Sequence, residues 1–429
     1  MKKLLPILLI LALLLCACGE QTPSEQGSDD HTVIRFDGAS VDITGGGAKD
    51  AGDAVVIGAG GTYEVTGVTS GDKALVVDTG DDAMDVTLIL NNADLTNLSG
   101  PALHIRQAQH FHLVLAAGSE NRLVSGTEDK LQTLDPEAAG GALYSEDDMD
   151  IEGEGSLTVL GYLNNGIACK KDLDLNSGTV TVLAANHGVK GNQSVQVKGG
   201  TLSVKAGGDG IKSTNLTKEG KGFVEILDGS VTVEAGGDGL QGARELRLSG
   251  GSLSVTTLGD GTERSSKALK ARDRIEISGG TIVLNTYEDA VRCQEGSVEI
   301  SGGSLEILAL QDGISAGEKD GAVGDILVSG GSLTISAGKQ AAKARGAFSV
   351  TGGSIQALCG SEKQAAPLGS PCLLCRIVGG EGDTVQVGDL TQLSGRQSFK
   401  CLLFVSPELS AGQQLRISGP AGAVDAEVR

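Results

Sequence analysis

The residues most able to do chemistry are acids that recur at one point of a repeated pattern. Asp209 and Asp238 belong to consecutive repeats, as do Asp289 and Asp312, and each directly precedes a glycine or an alanine. If the repeats stack as neighbouring strands, these like charges repel each other unless a cation lies between them. Carboxylate oxygens are ligands that Ca²⁺ accepts, so the pattern predicts calcium at these bends, with Glu288 as a further ligand. The alternative is that Asp-Gly is only favourable turn chemistry.

A second column of residues, two positions after the same glycine or alanine, is mainly basic. Its charged members are Lys190, Lys212, Lys270, Arg292 and Lys343. Positive side chains beside metal-bound carboxylates could form a groove for an acidic polysaccharide such as polygalacturonate, with an aromatic platform supplied by Tyr287. Two alternatives stay open: the basic side chains could simply neutralise the acids, and the tyrosine could simply fill a turn.

Both columns depend on a repeat of about 22 residues between residues 150 and 356. Apolar residues lie five and three positions before a marker glycine, and two and four positions after it. This spacing by two predicts strands with one inward face, so each repeat is a coil of three short strands. Three repeats are longer by six or seven residues, because of insertions at 213–221, 257–265 and 316–324. The marker glycines are Gly155, Gly178, Gly200, Gly229, Gly251, Gly280, Gly303, Gly331 and Gly353.

Coils of this kind bury their apolar faces only by stacking as parallel strands around one long core. We therefore predict an all-β fold, a right-handed, single-stranded parallel β-helix with a β-rich C-terminal cap. Irregular coils and an N-terminal cap are assigned to residues 32–150, the regular helix to 151–356 and the C-terminal cap to 357–429. In the last segment Cys372 and Cys375 have the spacing of a zinc pair but lack a second pair of ligands. Buried thiols or a local disulfide are therefore favoured.

The first 18 residues have the pattern of a bacterial lipoprotein signal peptide. Lys2 and Lys3 precede an apolar run, residues 4–15, that is too short for a comfortable membrane span. The run ends in Leu-Cys-Ala-Cys-Gly, where Cys18 fits the lipidated cysteine, and residues 19–31 read as a flexible tether. We expect an extracytoplasmic lipoprotein held at the cell surface by a membrane anchor on Cys18. Plain secretion is the alternative.

The composition limits the classes of partner. The chain has 429 residues, 66 of them Gly, with no Trp and only 2% aromatic residues, so its core must be aliphatic. The formal net charge of −21 disfavours nucleic acid and anionic membrane surfaces. We expect a monomer whose partner is a polysaccharide.

The sequence resembles the clostridial carbohydrate-binding β-helix proteins, calcium-binding relatives of the pectate-lyase-like superfamily. The resemblance runs from about residue 53 to about residue 407, on segments such as GAGGTYEVTG (58–67), NNGIACKKDL (164–173), GGDGIKS (207–213), GGDGLQG (236–242) and SSKALKA (265–271). It implies a right-handed parallel β-helix, bound calcium, and binding of cellulose or acidic polysaccharides without established catalysis. The family's metal-binding acids would fall on Asp209, Asp238, Asp289 and Asp312.

Three positions depart from the family's pattern. His187 stands where an acid is expected, so the resemblance does not extend calcium binding to that coil. Ala268 and Ala290 replace glycines at the following position.

Three functions are compatible with these patterns. The first is a non-catalytic, calcium-dependent polysaccharide-binding protein for acidic sugars or cellulose. The second is a polysaccharide lyase, in which Lys190, Lys212 or Lys270 removes the proton α to a uronate carboxylate while Ca²⁺ stabilises the resulting charge. The third is a structural or adhesive surface protein whose calcium only rigidifies the stack.

Overall fold

The fold is a stack of β-strand coils. The computed structural model describes residues 31–80, 84–130, 140–259, 265–318 and 321–429, and these form a β-solenoid of about 11 turns. Each regular turn contributes one strand to each of three faces, which we name the short, middle and long faces. The predicted all-β parallel β-helix is confirmed. Within the described segments the helical structure is a single 3₁₀ turn, Glu128–Lys130.

The short face is a 13-stranded sheet, parallel except for its first pair of strands. Its strands are Ala48–Asp50, Ala54–Ile57, Ala74–Asp78, Leu103–Gln107, Gly141–Ser145, Asn165–Cys169, Val189–Gly191, Ile211–Ser213, Leu240–Gly242, Leu269–Ala271, Val291–Cys293, Ile314–Ala316 and Ala342–Ala344.

The middle and long faces belong to one 27-stranded sheet. The middle face contains Phe111–Leu115, Met149–Gly153, Asp172–Leu175, Ser194–Val197, Phe223–Ile226, Glu245–Leu248, Arg274–Ile277, Ser297–Ile300, Ile326–Val328, Phe348–Val350 and Leu368–Gly369. The long face contains Glu120–Ser125, Ser156–Gly161, Thr179–Ala184, Thr201–Ala206, Ser230–Ala235, Ser252–Thr257, Thr281–Thr286, Ser304–Ala309, Ser332–Ala337 and Ser354–Cys359.

The first coils are less regular than the others. Val86–Asn97 is long enough to pair with strands of both the middle and the long face. Gly61–Thr69 lies parallel to it, and Thr32–Gly38 lies parallel to Gly61–Thr69. Ser40–Thr44 then pairs antiparallel with Thr32–Gly38. This hairpin covers the open edge of the first coil, where an unpaired strand would invite aggregation.

One aliphatic core runs through the stack because the strands alternate inward and outward residues. Val204, Val233 and Val255 are neighbours on the long face in successive coils and are 1–2% exposed. The outward residues between them are polar, as the sequence spacing predicts. Stacking therefore turns residues of successive repeats into vertical neighbours, which is the condition for the two predicted columns.

The marker glycines form the turn between the middle and the long face. All of them except Gly155 have a positive φ, between 70° and 93°. Residues with a Cβ rarely adopt this left-handed conformation, so glycine is the residue that closes the turn at low cost. The conformational requirement of this one turn explains why the repeat is visible in the sequence.

The C-terminal segment adds a cap with its own small core. Phe399–Val405 pairs antiparallel with Ser354–Cys359 and with Cys372–Gly379. A four-stranded antiparallel sheet follows, which consists of Thr384–Val387, Thr391–Ser394, Gln414–Gly419 and Gly422–Glu427. Phe399, Leu402 and Ile417 are buried between these layers.

The cysteines of the cap are thiols in this structure. Cys372 and Cys375 are three residues apart on one strand, about 10 Å at the rise of a β-strand, which is too far for the local disulfide considered above. Cys359 instead lies directly opposite Cys401 on the neighbouring strand. The hydrogen bond between these two thiols lowers the pKa of Cys359, and together with burial it raises the pKa of Cys401.

In the part of the chain that the structure covers, no helix has the length and apolar character of a membrane span. The predicted signal peptide, Cys18 and nearly all of the tether lie outside the described residues.

Candidate functional site

The acidic column forms a hydrogen-bonded ladder at the corner where each long-face strand turns into a short-face strand. The backbone N–H of Asp238 donates to Oδ1 of Asp209 at 2.9 Å, and that of Asp312 donates to Oδ1 of Asp289 at 3.0 Å. The Oδ1 atoms of Asp238 and Asp312 in turn accept from the backbone N–H groups of Lys267 and Gln340 in the following coil, each at 2.9 Å. The carboxylates thus satisfy backbone groups that the tight corner leaves without a sheet partner.

The ladder also explains the histidine in the acidic column. The backbone N–H of Asp209 donates to Nδ1 of His187 at 3.0 Å, and the backbone N–H of His187 donates to Oδ1 of Asn165 at 3.2 Å. The ladder needs only a side-chain atom that can accept a hydrogen bond from the backbone N–H of the next coil. Histidine and asparagine provide such an atom, so they replace aspartate without breaking the ladder. The departure of His187 from the family's pattern is therefore compatible with the geometry of the corner.

The second oxygen of three of the acids is paired with a lysine of the basic column. Oδ2 lies 2.6 Å from Lys212 Nζ in Asp209, 2.8 Å from Lys270 Nζ in Asp238 and 2.8 Å from Lys343 Nζ in Asp312. Asp238 and Asp312 are almost fully buried. Ammonium groups therefore offset much of the repulsion between stacked carboxylates that suggested a metal ion.

The charged neighbours also decide the ionisation of Asp209. Burial raises the pKa of this carboxyl, but the charge of Lys212, that of His187 when its ring is protonated, and two hydrogen bonds outweigh the burial and hold the pKa below its usual range. Asp209 is consequently ionised at neutral pH and acts as the anionic half of an ion pair.

Lys267 and Glu288 form a separate pair at the same corner. Lys267 occupies the acidic column, and its Nζ lies 2.6 Å from Oε2 of Glu288 in the next coil. The same oxygen accepts the backbone N–H of Ser266 at 2.9 Å. The structure therefore brings Glu288 to a lysine, and Lys267 separates the Asp209–Asp238 pair from the Asp289–Asp312 pair.

Asp289 differs from the other three acids. Its Oδ2 accepts the hydroxyl proton of Ser315 at 2.7 Å, because serine occupies the basic column in the next coil. Among the described residues no ammonium, guanidinium or imidazole nitrogen lies within 4.0 Å of its carboxylate oxygens. Of the five predicted calcium ligands, Asp289 is thus the one whose charge a cation could still neutralise.

An open groove of about 310 Å³ lies beside Asp289. Asp312, Lys343 and Arg292 line it together with Lys339 and Arg345. The guanidinium of Arg292 donates to neutral oxygens, 2.9 Å from Gly317 O and 3.4 Å from Ser315 Oγ. No carboxylate of the described chain lies within 4.0 Å of Arg292, Lys339 or Arg345. The groove therefore has a surplus of positive charge in a strongly acidic protein.

An apolar strip borders the same corner. Leu258, Tyr287 and Leu310 each follow the last residue of a long-face strand, in three successive coils. They are 53%, 41% and 50% exposed. The ring of Tyr287 lies against the backbone of Gly259, where an added Cβ would be 2.3 Å from the ring. Tyr287 is thus packed on one side and open on the other.

Lys190 is the basic-column lysine without an acidic partner. It is next to Lys212 in the register of the short face, and within the described segments no carboxylate lies within 4.0 Å of its Nζ. Burial, together with the charge of Lys212, lowers its pKa. The sequence offered a signal for this difference, because His187 and Asn165, not acids, occupy the acidic column at the level of Lys190 and at the preceding level.

A possible metal-binding group lies elsewhere, on the middle face. Side chains of His110, His112 and Asp150 bring three ligand atoms within 4.8 Å of one another. The sequence pattern did not single them out. The available signal was His-Phe-His at the start of a strand, but the acid that completes the group is 38 residues after His112, in an irregular coil.

Comparison with known proteins identifies related chains. A family model described as carbohydrate-binding domain-containing protein matches residues 51–313 and 269–398. A protein with the same description from Acetivibrio thermocellus is 30% identical over 188 residues, which are 43% of this chain and 65% of that protein. The chain thus spans slightly less than two thirds of that relative.

A solved structure is also similar. It is the gadolinium derivative of a polysaccharide lyase-like protein from C. thermocellum, and it is 31% identical. The match covers 53% of this chain and 91% of that chain, with a TM-score of 0.49. Since the family model covers well over half of the sequence, the chain belongs to the family of carbohydrate-binding domain-containing proteins.

Proposed function

We propose that the groove beside Asp289 binds an acidic polysaccharide, such as polygalacturonate, in a calcium-dependent and non-catalytic manner. The observation that carries the proposal is the set of basic groups, Arg292, Lys339 and Arg345, that line one groove without a carboxylate partner among the described residues. Family membership supports a carbohydrate as the ligand. The positive charge of the groove supports an anionic carbohydrate.

The chemistry of arginine favours a sugar carboxylate. A guanidinium can donate two parallel hydrogen bonds to one carboxylate, and such bonds are stronger than neutral ones. Leu258, Tyr287 and Leu310 add an apolar surface at the height of neighbouring coils, against which the C–H faces of sugar rings can pack. Charge and apolar surface together match a polymer of uronate rings better than a small anion.

The calcium part of the proposal rests on Asp289 alone. At Asp209, Asp238 and Asp312 a calcium ion would have to displace a lysine ammonium, which makes them poor sites. Asp289 has a free charge and faces the groove, so a calcium ion there could bridge the protein and a uronate carboxylate. Oxygen ligands of both partners suit this ion.

Isothermal titration with oligogalacturonate tests the proposal. Arg292→Ala together with Arg345→Ala is expected to weaken binding at least tenfold, because charge-assisted hydrogen bonds contribute about 1.5–3 kcal/mol each. Binding should also weaken as salt is added, since exposed charges are screened. Asp289→Asn should retain the calcium-free affinity but lose the increase in affinity that calcium gives the wild type.

Two controls make this result specific. Arg416→Ala removes a guanidinium from the four-stranded sheet of the cap, where it is 67% exposed, and should leave the affinity unchanged. A neutral cello-oligosaccharide should bind more weakly than oligogalacturonate and without the dependence on salt. Equal affinity of the double arginine variant and the wild type for oligogalacturonate would refute the groove.

A polysaccharide lyase is a second candidate function, and Lys190 is the observation that favours it. A general base needs an unprotonated amine near neutral pH, and burial beside Lys212 shifts the pKa of Lys190 in that direction. If the protein is a lyase, polygalacturonate will yield unsaturated products, detected by their ultraviolet absorbance, and Lys190→Met will abolish them. Lys205→Met, which changes an exposed long-face lysine, is the matched control. We expect no product from the wild type.

The place of this binding activity is also a proposal. The pattern of residues 1–18 supports a lipid on Cys18 and therefore a location at the cell surface, where a polysaccharide ligand is accessible. Mass spectrometry of the N-terminal peptide of the mature protein would detect the acyl chains, and an unmodified Cys18 would contradict the anchor.

A further inference from the structure

Two histidines and one aspartate converge on the outer surface of the middle face. His112 belongs to Phe111–Leu115 and is paired in register with Asp150 of Met149–Gly153. Phe111 and Leu113 point into the core and are fully buried, so His112 points outward, and His110 precedes the same strand. This location differs from the corner to which carbohydrate binding is assigned.

The contacts within this group are short and centred on one oxygen. Nε2 of His110 lies 2.6 Å and Nδ1 of His112 lies 2.8 Å from the same Oδ1 of Asp150. The centroids of the two imidazole rings are 4.4 Å apart. Each ring therefore directs one nitrogen towards the same point, which is the arrangement of a ligand set rather than of two independent ion pairs.

The dimensions of the group suit a metal ion. All three ligand atoms lie within 4.8 Å of one another. Imidazole nitrogens and carboxylate oxygens lie about 2.0–2.2 Å from a bound Zn²⁺ ion, so ligands of one ion are about 3–3.6 Å apart. The two nitrogen–oxygen separations, 2.6 and 2.8 Å, are slightly shorter than this range, so an ion would bind between the three groups after small side-chain rotations that move the nitrogens away from the oxygen.

A neighbouring carboxylate is an independent observation that points to a cation here. Asp174 follows Asp150 in the register of the middle face, and like charges at such positions repel each other. Lys198 Nζ lies 2.6 Å from Oδ2 of Asp174. The other oxygen, Oδ1, is buried and accepts no hydrogen bond from the described residues. A cation bound at Asp150 would stabilise this oxygen as well.

We propose that His110, His112 and Asp150 bind a divalent transition-metal ion. Imidazole suits Zn²⁺, Cu²⁺, Ni²⁺ and Fe²⁺, whereas Ca²⁺ takes oxygen ligands, so the site is chemically distinct from the calcium site proposed at Asp289. The histidines are 37% exposed, which leaves coordination positions open to water or to an oxygen of an outside ligand. The ion also links two consecutive coils, because its ligands come from two paired strands.

Zinc binding to the purified chain tests this site, measured by competition with a chromogenic chelator. We expect the wild type to bind one zinc ion more tightly than a His110→Gln/His112→Gln double variant, with a loss of at least tenfold in the variant. Asp150→Asn should show a comparable loss, and excess Ca²⁺ should not displace the zinc. Saturating zinc should raise the Tm of the wild type but not of the double variant.

Matched controls separate a metal site from a hydrogen-bonded cluster. His104→Gln changes a histidine that contacts Glu146 at 3.3 Å on the short face and should bind zinc like the wild type. The double variant keeps every cysteine, so zinc bound by thiols would appear equally in the wild type and in the variant. Equal zinc affinity and stoichiometry in wild type and double variant would overturn the proposal, whatever the outcome of the sugar-binding experiments.

Discussion

Asp238→Ala is expected to lower the free energy of unfolding by about 3–5 kcal/mol, the usual cost of removing one partner of a buried ion pair. Asp238 is 1% exposed. Its Oδ1 accepts from the backbone of Lys267 and from Ser265 Oγ, and its Oδ2 pairs with Lys270. The variant would leave a largely buried ammonium and a backbone N–H without their acceptor. Chemical denaturation monitored by circular dichroism measures the change.

One further variant separates the effect of the hydrogen bonds from that of the charge, and a second provides an exposed ion pair for comparison. Asp238→Asn keeps an acceptor for the backbone of Lys267 but removes the charge opposite Lys270, so its loss of stability should be smaller than that of the alanine variant. Glu234→Ala breaks an exposed pair with Lys205 on the long face and should cost less than about 1 kcal/mol. If Asp238→Ala is no more destabilising than Glu234→Ala, the ladder is not a structural element of the corner.

The regular part of the fold was predictable because one local requirement recurs in every coil. The turn from the middle to the long face needs a left-handed residue, so Gly200, Gly229 and Gly251 appear at matching positions. Inward residues such as Val204 and Val233 recur at fixed distances from them. Period and spacing then determine which residues become vertical neighbours, and the acidic and basic columns follow from that alone.

The chemistry of the columns was harder to predict than their existence. The sequence placed Lys212 near Asp209 but did not tell whether its ammonium points to the acid or to a ligand, because the side chain has several rotatable bonds. The structure contains the ion pair at 2.6 Å. Asp289 lacks a cationic partner because the next coil offers Ser315 and because the guanidinium of Arg292, at its own level, donates to Gly317 O instead. The direction of the Arg292 side chain could not be read from the sequence.

The histidine group could not be predicted from the sequence repeat. His112 and Asp150 are neighbours on paired strands, yet they are separated by 38 residues and not by the period of about 22. This spacing is about 16 residues longer than the repeat, so the register of this pair does not follow from it. A search for two histidines two residues apart at the start of a strand would have found two of the three members of the group.

Gly251→Ala is expected to lower the free energy of unfolding by about 2–5 kcal/mol, from two separate causes. A left-handed conformation costs a residue with a Cβ about 1–2 kcal/mol, and Gly251 has a φ of 70°. In addition, the new Cβ would lie 2.5 Å from the carbonyl oxygen of Gly229 in the preceding coil. Crowding of this kind adds about 1–3 kcal/mol, because the opposing atom is backbone and cannot rotate away.

Gly118→Ala separates the two causes. Gly118 lies in the same type of turn, between Phe111–Leu115 and Glu120–Ser125, with the same φ of 70°, but an added Cβ would meet no atom within 4 Å. Its substitution should therefore cost only the conformational part, about 1–2 kcal/mol. The difference between the two variants, measured by chemical denaturation, reports how closely neighbouring coils approach at the marker glycines. Equal losses in the two variants would mean that the marker glycine is required for its φ alone and that the coils can separate locally at little cost.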